Sequence, residues 1–502
     1  MMTENNSNTT INNTIENNSD KIINRNKIID RNKIIDRNKI INRNKIIDRN
    51  INRILELVKN KNLKTPFFAI DKDILKANLE ILKMVEERSG CHILLAQKCF
   101  SSYETYDFIS QYVSGTTASG LYEAKLGKLM NKENHVYCPG YKEDDMKEII
   151  SLCDHIVFNS FSQWQRYKDD IFKNNISAGL RINPEFSTHK GNEMYDPCGK
   201  YSRMGITLKE FEKGYENGEF KGIEGLHFHT LCEQNSIDLK NTLDRVCEKF
   251  GKYFKEIKWI NFGGGHHITK EDYDIDILTD CISKMKNEYG LEVYLEPGEA
   301  FAINAGYLVS SVVDIIKNDI NIAILDTSAA CHMPDVLEVP YVPEVFGASI
   351  VDDISEFVPN VNYADYADNV NYEEHANCAD CADNADNANC ADYSNYEEYA
   401  NCADCADNTD NTDESVESDD IEAMNIYRFG GMTCLSGDVI GDYALKNPLK
   451  YGDLIVFKDM AIYSMVKTNT FNGMKLPDIY LFEDNDLLNL RTFGYEDFKS
   501  RL

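Results

Sequence analysis

The sequence predicts an α/β fold, a (β/α)8 TIM-type barrel followed by a C-terminal β-domain. Three observations carry that expectation. Eight short runs rich in β-formers alternate with helical patterns between His92 and Ala300. Beyond Val309 strand patterns follow one another without long helices between them. Two low-complexity segments stand apart from both, and a chain of 502 residues still leaves ample length for a large core.

Taken in order, residues 1–60 read as a low-complexity tail rich in Asn, Lys and Ile. Its hexad K-I-I-(D/N)-R-N keeps Lys21, Lys27, Lys33, Lys39 and Lys45 in register. The unit is too polar to pack, so a disordered or weakly helical tail is expected rather than a β-helix. Residues 61–310 carry the barrel. TPFFAID (Thr65 to Asp71) is a strand opened by a proline, placed to join the β-domain. A helix follows between Asp73 and Gly90: Asp73 can cap it, Ile74, Leu75, Leu79, Leu82 and Val85 share one face, and Gly90 can end it.

The eight barrel strands are HILLAQ (His92 to Gln97), GTTAS (Gly115 to Ser119), HVYCPG (His135 to Gly140) and DHIVFNS (Asp154 to Ser160). They continue with AGLRINP (Ala178 to Pro184), IEGLHFHT (Ile223 to Thr230), KWINFGGG (Lys258 to Gly265) and EVYLEPGEA (Glu292 to Ala300). Residues 311–350 and 424–502 form the β-domain, with SVVDII, NIAILDT, DLIVFKDM and IYSMVKT as its strands.

Residues 351–423 form an acidic, Cys-, Asn- and Asp-rich insertion. Val351 to Glu422 holds 22 acidic residues and no Lys or Arg, so most of the net charge of −30 belongs to this segment. The balance argues against nucleic acid and anionic membrane as partners. The insertion repeats N-Y-E-E-(H/Y)-A-N-C-A-D-C-A-D-N, which creates Cys378-x-x-Cys381 and Cys402-x-x-Cys405. That spacing is the repeat period itself, and the surroundings lack the apolar support of a zinc ribbon, so no metal is expected. No apolar run is long enough to span a membrane, and the first twenty residues lack the apolar core of a signal peptide. Free thiols and a cytoplasmic location follow as expectations for the fifteen cysteines.

Reactive groups of a barrel collect where its strands end. Lys98, directly after the first strand, is either a solvated loop residue or a Schiff-base lysine whose amine desolvation frees. His229 closes the sixth strand, as a hydrogen-bonded core histidine or a site residue, with His227 one pleat deeper on the same side. Gly263, Gly264 and Gly265 follow the seventh strand, either as a flexible turn or as a loop whose amides can meet a phosphate. Glu296, in the Glu296-Pro297-Gly298-Glu299 run after the eighth strand, is a surface acid or the partner of a pyridinium nitrogen. Cys434, in a glycine-rich loop beside Asp438, is a small buried hydrophobe or a proton donor or nucleophile.

Together these residues resemble the site of the fold-type III enzymes dependent on pyridoxal 5'-phosphate, the family of alanine racemase, ornithine decarboxylase and diaminopimelate decarboxylase. The resemblance covers about Lys64 to Gly347 and Met424 to Phe482. Within it, HMPDVLE, EPGE and TCLSGD are most similar to the carboxynorspermidine/carboxyspermidine decarboxylases. LLAQKCF, GTTASGLYEAKLG, GLRINPE, YSRMGIT, GLHFHTLCE, INFGGGHH, DTSAACHMPDVLE and GGMTCLSGD support it.

The resemblance implies that Lys98 holds the cofactor, His229 stacks on its ring, Gly263 to Gly265 with Tyr463 bind its phosphate, and Glu296 pairs with its ring nitrogen. Cys434, contributed by the partner protomer of a homodimer, would return a proton to the α-carbon. Glu299 stands where diaminopimelate decarboxylases have an arginine, which implies a cationic polyamine amino-acid substrate, with Asp335 and Asp438 as further amine partners. Arg181 and Arg203 stay unassigned. The implied activity is decarboxylation of carboxynorspermidine or carboxyspermidine. A decarboxylase of ornithine or arginine, or an inactive regulatory relative, are the alternatives. The acidic insertion departs from the family, which has a short connection there, and is expected to loop out.

Overall fold

Short parallel strands buried on both faces leave unpaired edges unless the sheet closes, and a barrel closes it. The structure, a computed structural model, describes residues 43–188, 196–354 and 425–502. The chain enters through helix α1 (residues 43–61), strand β1 (Phe67–Asp71) and helix α2 (Lys72–Ser89). Eight strands then pair in chain order into one closed parallel barrel. They are β2 (His92–Ala96), β3 (Gly115–Ala118), β4 (Glu133–Tyr137), β5 (His155–Phe158), β6 (Ser177–Arg181), β7 (Gly225–His227), β8 (Trp259–Asn261) and β9 (Glu292–Leu295). Each lies within or against a run expected from the sequence. Helices such as Phe161–Asn174 and Ser236–Phe250 cover the outside with an apolar face.

Two expectations at the entry are corrected. Residues 43–60 were assigned to the low-complexity tail, yet they form most of α1. Ile47, Ile51, Ile54, Leu57 and Val58 recur at helical spacing and are buried in the barrel-side core. The last hexad, Lys45 to Asn50, therefore supplies a packing face that a polar average hides. The earlier hexads lie outside the described residues.

The cap of α2 is Asp71 rather than Asp73. Asp71 is still extended, and its Oδ1 accepts the Asp73 and Ile74 amides at 3.0 and 3.3 Å. Asp73 lies inside the first turn, where its charge faces the helix N-terminus. The other Asp71 oxygen accepts from Asn50 Nδ2 at 2.8 Å and Tyr307 Oη at 2.9 Å, tying α1 and β1 to the next domain.

That domain is a nine-stranded mixed sheet. Its further strands are β10 (Gly306–Asn318), β11 (Ile320–Leu325), β12 (Ala348–Ile350), β13 (Asn425–Gly430), β14 (Val439–Leu445), β15 (Leu454–Phe457), β16 (Asp478–Glu483) and β17 (Asp486–Arg491). The order is β12-β14-β13-β11-β10-β1-β16-β17, with β15 paired to β10. β1 lies between β10 and β16, so the N-terminal strand is part of this sheet. Phe68, Leu308, Phe429, Tyr443 and Phe457 centre its core.

IYSMVKT is not a strand. Tyr463 turns the chain at φ +53°, and Ser464–Lys467 is a helical turn. Both Cys-x-x-Cys pairs of the insertion lie outside the described residues. Among the described residues no helix is long and apolar enough to cross a membrane.

Candidate active site

The alternation of each barrel strand sends every second side chain inward, and the last inward positions meet at the C-terminal mouth. At the centre of that mouth stands Glu296, one residue past β9. Its Oε1 accepts from Thr117 Oγ1 at 3.0 Å and Asn261 Nδ2 at 2.8 Å, and its Oε2 lies 3.2 Å from His227 Nε2. Burial alone would push this carboxyl up. The His227 imidazole first, then His135 and the Asn261 amide, override it and hold the group down to about 2, so Glu296 is an anion deep in the barrel.

His227 is in turn stacked on Tyr137, whose other neighbour is the Arg181 guanidinium 4.5 Å from the ring centre. Arg181 also donates to the His229 carbonyl at 3.2 Å. Arg181 is thus a brace beneath the site. Arg203 accepts a bond from Asn159 through its carbonyl at 2.9 Å.

His229 lies two residues past the end of β7. Its Nδ1 accepts the Gly264 amide at 2.7 Å. Burial first, then the charges of Lys98 and Arg181, push the imidazole well below its usual value. The ring is therefore neutral, with its proton on Nε2. Lys98 is exposed at the mouth and has no hydrogen bond or ion pair among the described residues, yet its charge reaches His227, His229, Cys99 and Cys232.

The glycine loop fits closely under this mouth. Gly263 and Gly265 take φ of +72° and +80°, and a Cβ on Gly265 would sit 2.0 Å from the Leu231 carbonyl oxygen. Two of the three amides already have acceptors: Gly263 donates to Asn261 Oδ1 at 2.8 Å, and Gly264 to His229. Only the Gly265 amide has no acceptor among the described residues. Tyr463 joins from the β-domain, its amide donating to the Cys99 carbonyl at 2.9 Å, next to Lys98. Burial and the surrounding Cys99, Glu299, Cys232 and Asp335 push its phenol up.

One wall of the mouth is acidic. Glu299 heads the short helix Glu299–Ala302 and bonds His267 Nε2. Burial, then the charge of Glu299, pushes the nearby Glu233 carboxyl up. Asp459 is pushed up to about 7 by burial, with Glu299 and Glu344 adding to the effect. Asp335 also reaches Glu233, but its charge is answered by Lys467.

The structure therefore brings Lys98, His229, Gly263, Gly264, Gly265, Glu296, Glu299 and Tyr463 together, with Asp335 at the margin. It does not bring Cys434 or Asp438 to them within one chain. Asp438 is buried in the β-domain and accepts from Ser328 Oγ at 3.0 Å, the Ala330 amide at 3.3 Å and Thr433 Oγ1 at 2.6 Å. Cys434 is exposed on the same loop, its amide held by Asn472 Oδ1 at 2.9 Å.

Thr117, Asn261, His267, Glu233 and Asp459 were missed by reading the sequence. Thr117 and Asn261 had a usable signal, since each is an inward residue of an assigned strand. His267 stands in the HH pair just after the glycines. Glu233 and Asp459 carry no local signal that separates them from surface acids.

No family model matches the chain. A carboxynorspermidine/carboxyspermidine decarboxylase of Campylobacter jejuni is 40% identical over 444 residues, 88% of this chain and 99% of the relative. A carboxyaminopropylagmatine decarboxylase of Synechocystis is 34% identical over 453 residues, 89% of this chain and 98% of the relative. Among solved structures, the Campylobacter jejuni carboxynorspermidine decarboxylase complexed with norspermidine superposes with a TM-score of 0.69. It is 39% identical, and the match covers 88% of this chain and 100% of that one.

Proposed function

The chain belongs to the carboxynorspermidine/carboxyspermidine decarboxylase family, and from that premise we propose that it removes the carboxyl group of carboxynorspermidine, carboxyspermidine or both in polyamine biosynthesis. In this reading it works as a cytosolic homodimer with pyridoxal 5'-phosphate. One observation carries it: Lys98, an amine without a partner among the described residues, shares a barrel mouth with a buried anion, Glu296, and a neutral imidazole, His229.

The residues fit that cofactor. Lys98 is free to bind an aldehyde carbon, Glu296 can accept from a ring nitrogen, and the uncommitted Gly265 amide can meet a phosphate. Bound there, the cofactor supplies a sink for the electron pair left when CO2 departs. Glu296 would keep a ring nitrogen of the bound cofactor protonated, because Thr117, Asn261 and His227 hold it ionised. His229 offers a flat, uncharged face whose orientation Gly264 fixes. Lys98 would be the residue that holds the cofactor's aldehyde carbon, with its amine free for that role at the mouth. Tyr463 would help to hold the phosphate.

Cys434 returns a proton to the α-carbon from the other subunit of the dimer, a role its exposed, unpaired thiol supports. Asp438 orders the loop that presents this thiol through its bonds to Thr433 and Ser328. Glu299, with Glu233 beside it, gives a cationic arm the counter-charge that an amine needs once water is stripped away. Asp335 serves the far end of that arm if Lys467 yields it. The Synechocystis relative favours a guanidinium-ended analogue as a second substrate to test.

The test is CO2 release by the cofactor-loaded protein on carboxynorspermidine, carboxyspermidine, carboxyaminopropylagmatine, ornithine, arginine and diaminopimelate, with Lys98→Ala beside it. The expected result is turnover of the carboxylated polyamines, abolished by Lys98→Ala. Turnover of ornithine or arginine alone would overturn the role given to Glu299, and inactivity on every substrate would favour a regulatory relative.

A further inference from the structure

At the opposite, N-terminal end of the barrel the same strands carry a second group of polar residues that holds none of the residues assigned to the decarboxylation. Glu133 and His135 lie on β4 and His155 on β5. His135 and His155 are register partners in neighbouring strands, so their side chains leave the sheet on the same face, into the barrel. Their rings stack with centroids 4.1 Å apart and planes at 14°. Glu133 Oε2 lies 3.4 Å from His135 Nε2.

Several polar atoms of this group are left unsatisfied among the described residues. His135 is 1% exposed; its Nδ1 and the Nδ1 of His155 have no hydrogen bond, and its Nε2 and Glu133 Oε2 meet only each other, at 3.4 Å. Orphaned polar atoms inside a protein ordinarily signal something that completes them. Tyr294 and Trp259 enclose the group with their rings at 4.9 to 5.2 Å, and the Trp259 indole N–H is already committed to Ser177 Oγ at 2.9 Å. The neighbouring His92 shows the ordinary alternative, since its Nδ1 meets Ser114 Oγ at 3.3 Å and its Nε2 lies 3.6 Å from Glu292.

We propose that Glu133, His135 and His155 form a zinc site on the barrel floor that braces β4 to β5. One ligand atom from each residue already lies within 4.8 Å of the other two. Bonds of about 2.0–2.2 Å place tetrahedral ligands about 3.3 Å apart, so modest ring rotations close the set around an ion. Two imidazoles and one carboxylate suit a borderline divalent metal of the zinc type better than magnesium or calcium, which prefer oxygen throughout. The half-exposed Glu133 and His155 give the ion a path from solvent and leave a fourth position for water. The three residues match no metal motif along the chain, and only the barrel closure assembles them.

The experiment uses the full-length, cofactor-loaded protein with Cys378, Cys381, Cys390, Cys402 and Cys405 changed to serine, so that insertion thiolates cannot bind the metal. The protein is equilibrated with zinc and desalted, and the retained metal is counted by mass spectrometry. His155→Ala and Glu133→Gln are made in the same background. Far-UV circular dichroism and a melting temperature in EDTA establish that each variant is folded before its zinc is counted. The expected result is one retained equivalent, lost in both variants, and a melting temperature that EDTA lowers in the parent but not in them. No retained equivalent in the parent, or one that survives both substitutions, would overturn the proposal.

Discussion

The Nδ1 of His229 accepts the Gly264 amide at 2.7 Å, which joins the end of β7 to the glycine loop and decides which ring nitrogen carries the proton. A Cβ on Gly264 would sit 2.4 Å from the Glu296 carbonyl oxygen and 3.3 Å from His229 Cε1. The backbone at Glu296 cannot retreat easily, because its amide is bonded to the Gly263 carbonyl at 2.8 Å. Gly264→Ala should therefore displace His229 and Glu296 together. The expected effect is a rise of about tenfold or more in the dissociation constant for pyridoxal 5'-phosphate, about 1.4 kcal/mol, read by absorbance titration.

Glu296→Gln tests the buried anion in two ways. The amide cannot keep a ring nitrogen protonated, so kcat should fall by about 10²-fold or more while the protein stays folded. Stability gives the second readout. The folded value is depressed from 4.5 to about 2, so the carboxylate stabilises the fold above pH 4.5 and that contribution is lost as pH falls toward 2. Melting temperatures between pH 3 and 7 should show a wild-type advantage that is constant near neutrality and shrinks in acid. An advantage that grows in acid would contradict an ionised Glu296.

Asp459 titrates in the opposite sense. Burial, reinforced by Glu299 and Glu344, raises it from 3.8 to about 7, against the Asn304 amide bonded to it at 2.6 Å. The folded protein thus holds this proton more tightly than the unfolded chain. Its contribution is fully present below pH 3.8 and is lost as pH rises through about 7. Asp459→Asn keeps an acceptor for Asn304 and cannot ionise. Its melting temperature relative to wild type should rise as pH goes from 5 to 8.

How far the sequence could reach is visible in these residues. Lys98, Glu296 and the glycines sit at strand ends, and a period-2 pattern finds strand ends. Glu299 could be placed, but not its bond to His267, because that contact joins the loops after β8 and β9. Asp459 and Glu233 become unusual only through burial, which a strand pattern does not report. The α1 face was hidden for a different reason. Ile47 and Ile51 share a helical spacing with Ile54, but the repeat around them is polar enough to read as solvent-exposed chain. Tyr463 was found by resemblance, while its turn was read as a strand because β-branched and aromatic residues surround it.

Cys434 and Lys98 should complement each other across subunits. Cys434→Ala should lower turnover by about 10²–10⁴-fold and leave cofactor binding intact. Lys98→Ala should abolish activity by itself. If each site takes its lysine from one chain and its thiol from the other, mixed dimers of the two variants regain one complete site. Random reassortment then restores roughly a quarter of wild-type activity. No recovery after subunit exchange, with mixed dimers verified by tag pull-down, would place thiol and lysine in the same chain.

Replacing residues 355–424 with a short Gly/Ser linker should leave the fold and the decarboxylation in place. β12 and β13 both pair antiparallel to β14, Ile350 opposite Tyr443 on one side and Asn425 opposite Leu445 on the other. The two ends are therefore two strand spacings apart, roughly 10 Å, plus a few residues along the strand, and about eight to ten linker residues span that gap. Shortening a loop of some 70 residues to that length is about three halvings, which lowers the closure cost by roughly 2 kcal/mol. The melting temperature should rise slightly and CO2 release should persist. Asp438 and Cys434 lie just beyond β13, so a structural role for the removed segment would show first as loss of turnover with cofactor binding retained. An intact kcat would establish that the segment serves something other than this chemistry.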